Sequence, residues 1–434
     1  MSNKQKVHEP LFHISKRASM PWYYSWLIRL GSILAALIVS GVVTMLLTHQ
    51  NPISVYATMV EGAFGTSRRV WNLLQSLAIL LCVALALTPA FKMRFWNIGG
   101  EGQVLVGGLA TAACVGEDTG IFKALGLKVS VTGNGNVPEA MSAGKMDIAY
   151  ASFRTTLNAV KNKVPLFIAA ENHTGGAEYF VVAKNIDNPQ DLLGKRISMG
   201  ANAETENLNW AEWSADLNIP RDTKYYENFS MSDSDSYFAF KLGKLDGYGA
   251  CDPWGSMAEY EDTGKILVRQ NTDREIDGHG TCCKICMNYN FAKAHPKLAE
   301  RILLAHAISV EYMYLHPYKA AEIFAKNYNV PLEVGLMTLW KKLNEEGRTI
   351  TWKLNREYVY NQMKTMRRLG VRNDINQLNI DDYIDLSYFN NSGAKDFDKF
   401  IEEEVNPIFP LGMSYEEWRA KAVEVDNIIE KTGV

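Results

Sequence analysis

Hydrophobic and polar residues follow two different rules along this chain of 434 residues. Up to about residue 114 the apolar positions run together. Leu30–Leu47 (LGSILAALIVSGVVTMLL) carries no charge over 18 residues, long enough to span lipid. Trp22, Tyr23, Tyr24 and Trp26 stand before it as an interfacial belt would, and Lys4, Lys6, Lys16, Arg17 and Arg29 predict a cytoplasmic N-terminus. Leu73–Phe91 predicts a second span, and Lys92 and Arg94 after it predict the same cytoplasmic side. The stretch 98–115 is a candidate third span. Its apolar portion, Val104–Val115, is shorter than the roughly 20 residues a crossing helix needs. A cleaved signal peptide fits the first run less well, because the pre-span is long and no small-x-small site follows.

From Gly116 the pattern changes to alternating strand and helix periods. GEDTGIFKALG reads as an amphipathic helix ending in glycine, and LKVSVT (127–132) as a strand. Then come a helix and strand in NVPEAMSAGKMDIAYAS, a helix over 155–162, and strands at 165–171, 178–183 and 196–200. A helix over 203–217 and a strand DGYGA follow. The alternation predicts parallel βαβ units. From Asn290 the pattern is helical, with a 3.6-residue apolar stripe over His295–His316 and Pro296 at its start.

Charge divides the chain at the same place. Residues 1–114 carry nine Lys or Arg and three Asp or Glu, whereas the remainder is acidic. No basic patch interleaved with aromatics occurs in the acidic portion, which argues against nucleic acid as a partner. The six cysteines, Cys82, Cys114, Cys251, Cys282, Cys283 and Cys286, are not spaced as a disulfide framework.

Two resemblances accompany these patterns. FWNIGGEGQ (95–103), with VEGAFG (60–65) upstream, resembles ABC-transporter permeases of the nucleoside and simple-sugar type. Such permeases continue for several more spans; this resemblance stops near Cys114. EDTGIFKALGLKV, GNGNVPEAMSAGKMDIAYAS, NAVKNKVPLFIAA, DNPQDLLGKRISM, LGKLDGYGACDPWGSMAE and NFAKAHPKLAERILLAH follow in order. Together they resemble the periplasmic solute-binding proteins for nitrate, alkanesulfonates, taurine and thiamine-pyrimidine precursors. The implied architecture is N-terminal transmembrane α-helices, two with a third of borderline length, then an α/β two-lobed periplasmic-binding-protein fold (type II) with a helical C-terminal extension. The expected domains are 1–114, a truncated permease-like segment; 115–345, the binding lobes; and 346–434, the extension packing on them. The binding-protein resemblance implies a first strand before the GEDTGIF helix. QVLVGG (103–108) stands where that strand belongs and either replaces it or stays with the membrane segment.

In such a fold ligands sit beyond strand ends, where free N–H groups of helix N-termini bind polar heads. Three turns qualify: Ser152, Phe153 and Thr155 after DIAY; Asn202, Glu204 and Thr205 after RISM; and Asp252 and Trp254 after DGYGA. Glu171, Asn172 and His173 end a further strand. Ser152 and Asn202 serve equally well as helix caps, and Trp254 as a core residue. Asp252, Glu171 and Glu204 favour a neutral or cationic heterocycle over a small anion. TCCKICMN (281–288) reads as a buried strand near the hinge; a metal site on Cys282, Cys283 and Cys286 is the weaker alternative, since a structural site needs four ligands.

The expected function is the solute-binding component of an ABC importer, with no catalytic activity, cofactor or metal. Its partners would be a small polar solute, permease and ATPase subunits, and the cell membrane, with the binding domain extracytoplasmic. The enzyme alternative is a thiamine-pyrimidine synthase-like protein on the same fold. Some such synthases carry four cysteines within five residues, associated with iron; CCKIC has Lys284 at the third position. A third alternative is a fusion without a transport role.

Overall fold

A computed structural model describes residues 22–48, 51–65, 70, 111–131, 137–175, 178–270 and 280–428. The chain divides into two units, Met1–Ile98 and Gly99–Val434.

In the first unit, α1 (Trp22–Thr48) is followed by α2 (Pro52–Phe64). Asn51 starts α2 by accepting from the Ile53 N–H at 3.0 Å, and Pro52 takes the first helical position. Gly41 lets the two helices meet: a Cβ there would lie 3.3 Å from that of Pro52. Tyr56 then donates to the Leu37 carbonyl at 2.7 Å. Among the described residues no helix is long and apolar enough to cross a membrane. With its 27 residues α1 has the length, about 40 Å at about 1.5 Å each. Its side chains Leu34, Ile38 and Val39 are exposed by 60–62%. The expected second span, 73–91, lies outside the described residues.

The second unit opens with α3 (Thr111–Asp118), where the expectation of a third span is corrected for residues 111–115. Thr111, Ala112, Ala113 and Val115 are buried within a helix of 8 residues, packed against the core of the second unit. Gly116 makes the packing close: a Cβ there would meet Phe122 and Ser309 at 2.7 Å. Residues 127–131 follow without strand pairing. LKVSVT alternates like a strand, but a strand needs a hydrogen-bonded neighbour, and none is described beside it. QVLVGG (103–108) lies outside the described residues.

Among the described residues lobe 1 has a three-stranded sheet, order β1–β8–β2: β1 (Ile148–Ser152), β8 (Cys283–Asn288) and β2 (Leu166–His173). Both pairings are antiparallel. All eight residues of β2 are buried, as befits a strand covered on both faces. After β1 comes α4 (Phe153–Lys161). Lobe 2 is a five-stranded sheet, order β5–β4–β6–β3–β7. Its strands are β3 (Glu178–Val182), β4 (Arg196–Ser198), β5 (Glu227–Phe229), β6 (Gly247–Cys251) and β7 (Lys265–Arg269). Only β4 with β5 and β6 is parallel; β3 returns antiparallel to β6 and β7, so the all-parallel expectation fails there. The helix expected over 203–217 is broken at Asn207, whose side chain accepts from Trp210 N–H at 3.1 Å and caps the second piece.

The C-terminal region is built into the same core. Trp352, Phe400, Phe409 and Trp418 pack with Val310 and Tyr314 of α5 (Pro296–Leu315). Residues 349–352 run along the free edge of β2, with the Thr174 N–H donating to the Thr349 carbonyl at 2.8 Å and the Thr351 N–H to Asn172 at 3.3 Å. An edge covered in this way no longer offers unpaired backbone. From there α6 (Arg356–Arg368) lays Val359, Met363 and Met366 against Leu157 and Val160 of α4.

Candidate functional site

The strand–helix turns of lobe 1 and lobe 2 face each other across a cleft, and α6 closes one side. Lobe 1 contributes Ser152, Phe153, Arg154, Leu157, Thr281 and Cys282. Lobe 2 contributes Glu178, Glu206, Asn207, Leu208, Asn209 and Gln270, and the C-terminal region adds Gln362, Met366 and Arg372. They bound a partly open cavity of about 80 Å³, room for several waters. Gln362 accepts from the Thr281 N–H at 3.2 Å and joins α6 to the chain just before β8.

Two arginines and two glutamates meet in this cleft. Arg372 is directed to Asn158 at 2.7 Å and Asp374 at 3.2 Å, and Asn209 donates to Glu178. Gln270 is buried, and its Oε1 has no hydrogen-bond partner among the described residues. A buried acceptor on a cleft wall is costly unless a donor arrives to meet it.

Of the residues expected from sequence, the cleft brings together Ser152 and Phe153. Ser152 Oγ accepts from Thr155 N–H at 3.1 Å and lies 2.9 Å from Thr155 Oγ1, so both act in capping α4. Asn202 stands in the left-handed region (φ 52°) without a side-chain cap bond. Thr205 Oγ1 bonds back to the Asn202 carbonyl at 3.2 Å, and Glu204 accepts from Thr223 at 2.8 Å. Trp254 packs against Tyr237 and Phe238, with ring centroids 5.4 and 5.9 Å away.

The remaining expected residues lie behind the cleft in buried networks. Both Glu171 oxygens sit 2.5 Å from Lys284 Nζ, with neither side chain exposed. Burial raises the Glu171 carboxyl to about 7, against the opposing pull of Lys284. Asn172 is buried beside it. Asp252 lies 3.1 Å from Lys342, and Tyr179 joins both through its hydroxyl. Burial resists the charge of Asp252, but Lys342 and Lys341 outweigh it and hold the carboxyl below its usual range. Glu171 and Asp252 are thus already matched by lysines, and Glu204 is turned to Thr223. Their expected preference for a cationic ligand loses its basis.

His173, Cys282 and Cys283 form a different grouping from the cysteines expected. Their donor atoms lie within 4.8 Å of one another, and the two sulfurs are 3.1 Å apart. Among the described residues His173 Nε2 has no hydrogen-bond partner, and burial, then Lys342, lowers the ring to about 3, so it is neutral. Cys286 points elsewhere, 3.3 Å from Thr156 Oγ1 in the core of lobe 1. One imidazole and two thiols suit a borderline-soft cation such as Zn²⁺ or Fe²⁺, with a fourth position left for water or solute. The donors therefore fit a metal, and Cys282 would carry it to the cleft wall. Arg154, within the expected turn after DIAY, also lines the candidate cleft; Gln270, Gln362 and Arg372 line it without having been singled out from the sequence.

Residues 110–320 match the family model described as NMT1/THI5 like. Among solved structures, the chain is similar to a ligand-binding component of an ABC-type import system from Staphylococcus aureus with zinc bound. That likeness has a TM-score of 0.52 at 14% identity, covering 66% of this chain and 96% of that one. It is also similar to the alkanesulfonate-binding protein SsuA from Xanthomonas axonopodis pv. citri bound to MOPS (TM-score 0.51, 16% identity, 62% and 92% covered). A third likeness is to a mutant of the desulfurization enzyme DSZB in complex with biphenyl-2-sulfinic acid (0.50, 13%, 65% and 95%). The two lobes thus have the periplasmic-binding-protein fold. A stretch of 71 residues is 34% identical to the nucleoside ABC transporter permease protein NupB of Lactococcus lactis subsp. cremoris (strain MG1363). It covers 16% of this chain and 20% of that relative.

Proposed function

We propose that the second unit is the solute-binding component of an ABC import system, held at the cell membrane by the helices before it. The binding lobes lie outside the cytoplasm in this reading, and permease and ATPase subunits are the partners. The exposed apolar side chains of α1 support the tether. The observation that carries the reading is the cleft itself. Both lobes line it, charges of both signs (Arg154, Arg372, Glu178 and Glu206) stand on its walls, and Gln270 Oε1, without a partner among the described residues, asks for a donor. A zwitterionic or neutral polar solute with an amino group, of the taurine or aminopyrimidine class, suits that set better than nitrate. The proposed domains are a membrane segment over residues 1–114, the lobes over 115–345 and the extension over 346–434. Titration of the full chain in detergent with taurine, an aminopyrimidine and nitrate, read by tryptophan fluorescence, tests the assignment. Saturable binding of an amine-bearing solute, weakened about tenfold or more in Gln270→Leu, is expected. Binding that is unchanged in Gln270→Leu and Arg154→Ala would place the solute elsewhere.

A second reading rests on His173, Cys282 and Cys283. If these hold a metal at the cleft wall, the fold supports thiamine-pyrimidine synthase-like chemistry instead of capture. Elemental analysis of the purified chain tests the metal, whose loss in Cys282→Ser with Cys283→Ser would assign it to these residues; turnover of a pyrimidine precursor, not metal content, separates the enzyme from the receptor.

A further inference from the structure

Among the described strands, the chain passes between the lobes from β2 to β3 and from β7 to β8. Connections of this kind let two lobes turn about a hinge, so contacts elsewhere fix their separation. The turn after α6 makes such contacts on both sides. Leu369 caps the C-terminus of α6, and its carbonyl accepts from Arg221 Nη1 of lobe 2 at 2.5 Å. A helix C-terminus carries partial negative charge, which a guanidinium meets well. Three residues on, the Arg372 N–H donates to the Thr205 carbonyl of lobe 2 at 2.9 Å. The Arg372 guanidinium reaches the other way, to Asn158 of α4 at 2.7 Å, and Asp374 accepts from Lys161 of α4 at 2.6 Å. Arg372 has φ 51°, a left-handed backbone that is costly for a non-glycine residue and persists where surrounding contacts demand it.

The two sides are not held alike. On lobe 1, Val359, Met363 and Met366 of α6 and Ile375 beyond the turn are buried in one apolar cluster with Leu157 and Val160. From lobe 2, Leu208 packs against that cluster, partly buried. The polar contacts to lobe 2 have surface pockets on either side, one lined by Thr205 and Arg372, the other by Arg221 and Leu369. A seam of hydrogen bonds with little apolar burial parts at lower cost than a core does. Arg221 itself belongs to lobe 2: its carbonyl accepts from Nε1 of the core residue Trp210 at 2.8 Å.

We infer that the turn 369–374 is a latch. It travels with lobe 1, grips lobe 2 through Arg221 and Thr205, and holds the lobes together without solute. Arg221, outside the cleft, then sets how often the lobes part. One consequence rests on the solute-binding reading: Arg221 is a positioning residue that tunes affinity through the population of the closed form.

Pulsed electron paramagnetic resonance on the full chain in detergent, with no solute added, tests the latch. Spin labels enter through non-natural amino acids at the exposed Lys163 of lobe 1 and Lys224 of lobe 2, so the native cysteines are not used. Wild type is expected to give one distance. A hydrogen bond from a charged donor is worth roughly tenfold to a hundredfold in an equilibrium. Arg221→Ala should therefore raise an open form of about 1% to between about 10% and 50%, seen as a second, longer distance. The same single distance in both proteins overturns the inference, whatever the cleft binds. A longer distance that is already dominant in wild type also overturns it. Should Arg221→Ala unfold the unit, seen as loss of near-ultraviolet circular dichroism, Leu208→Ala takes its place with the same outcomes. A second distance in the variant, together with no binding of taurine, an aminopyrimidine or nitrate, supports the latch and counts against the solute-binding reading alone.

Discussion

Lys284→Met is the sharpest perturbation the second unit offers. Lys284 and Glu171 are both fully buried, with both carboxylate oxygens 2.5 Å from Nζ, and Thr281 completes the group behind the cleft. Removing one partner of a buried pair costs about 3–5 kcal/mol, because the other is left uncompensated. The pH dependence shows whether charge is the cause. Glu171 is raised to about 7 in the folded chain, chiefly by burial, against about 4.3 unfolded. Its contribution to stability is therefore complete below about 4.3 and is lost as pH rises through about 7. In wild type the loss levels off above that point, where Glu171 ionises beside Lys284. Without Lys284 the carboxyl rises further, and the loss continues at about 1.4 kcal/mol per pH unit. The gap between variant and wild type should be about 3 kcal/mol wider at pH 9 than at pH 6. Urea denaturation at both pH values measures it. The double variant Glu171→Gln with Lys284→Met should recover most of the loss at pH 9. An equal gap at both pH values, or a double variant no better than Lys284→Met, refutes the argument.

Three further outcomes follow from the packing. Trp352 is buried with ring centroids 4.9 Å from Phe397 and 5.5 Å from Phe400, so Trp352→Ala should cost about 3–5 kcal/mol in urea and hasten proteolysis within 380–428. Asp426 accepts from the Tyr318 and Lys319 N–H groups at 2.9 and 3.1 Å, capping the helix Pro317–Tyr328 from the far end of the chain. Asp426→Ala should lower stability by about 1–2 kcal/mol, and Asp426→Asn by less, in thermal melts. Gln362→Leu leaves the Thr281 N–H without its acceptor; about 1–2 kcal/mol of stability should go, with faster amide exchange at Thr281.

Of the five described strands of lobe 2, β3, β4 and β6 were legible in the sequence as short runs bounded by turns, whereas β5 (ENF) and β7 (KILVR) were not. PLFIAAE also marked β2, and CCKIC marked β8, since a strand buried on both faces has no polar alternation. LKVSVT misled for a physical reason: alternation reports a face, but pairing needs a neighbour, and none is described there. The cleft was legible at the turn Ser152, Phe153 and Arg154, where a strand–helix junction leaves a local signature. Gln362 and Arg372 come from a helix and turn more than 70 residues beyond β8, so no local pattern could assign them. The buried acids looked like ligand groups because their partners, Lys284 and Lys342, are distant from Glu171 and Asp252 in sequence.

Thermal denaturation of the full chain in detergent against aminopyrimidines, taurine, alkanesulfonates and nitrate tests the central claim most directly. A solute that binds only the folded lobes must raise the melting temperature by mass action. One cooperative transition of the binding unit is expected, with a rise of several degrees in an amine-bearing solute that Gln270→Leu abolishes. A cooperative transition that no solute moves, in wild type at millimolar concentration, would contradict solute capture in the cleft.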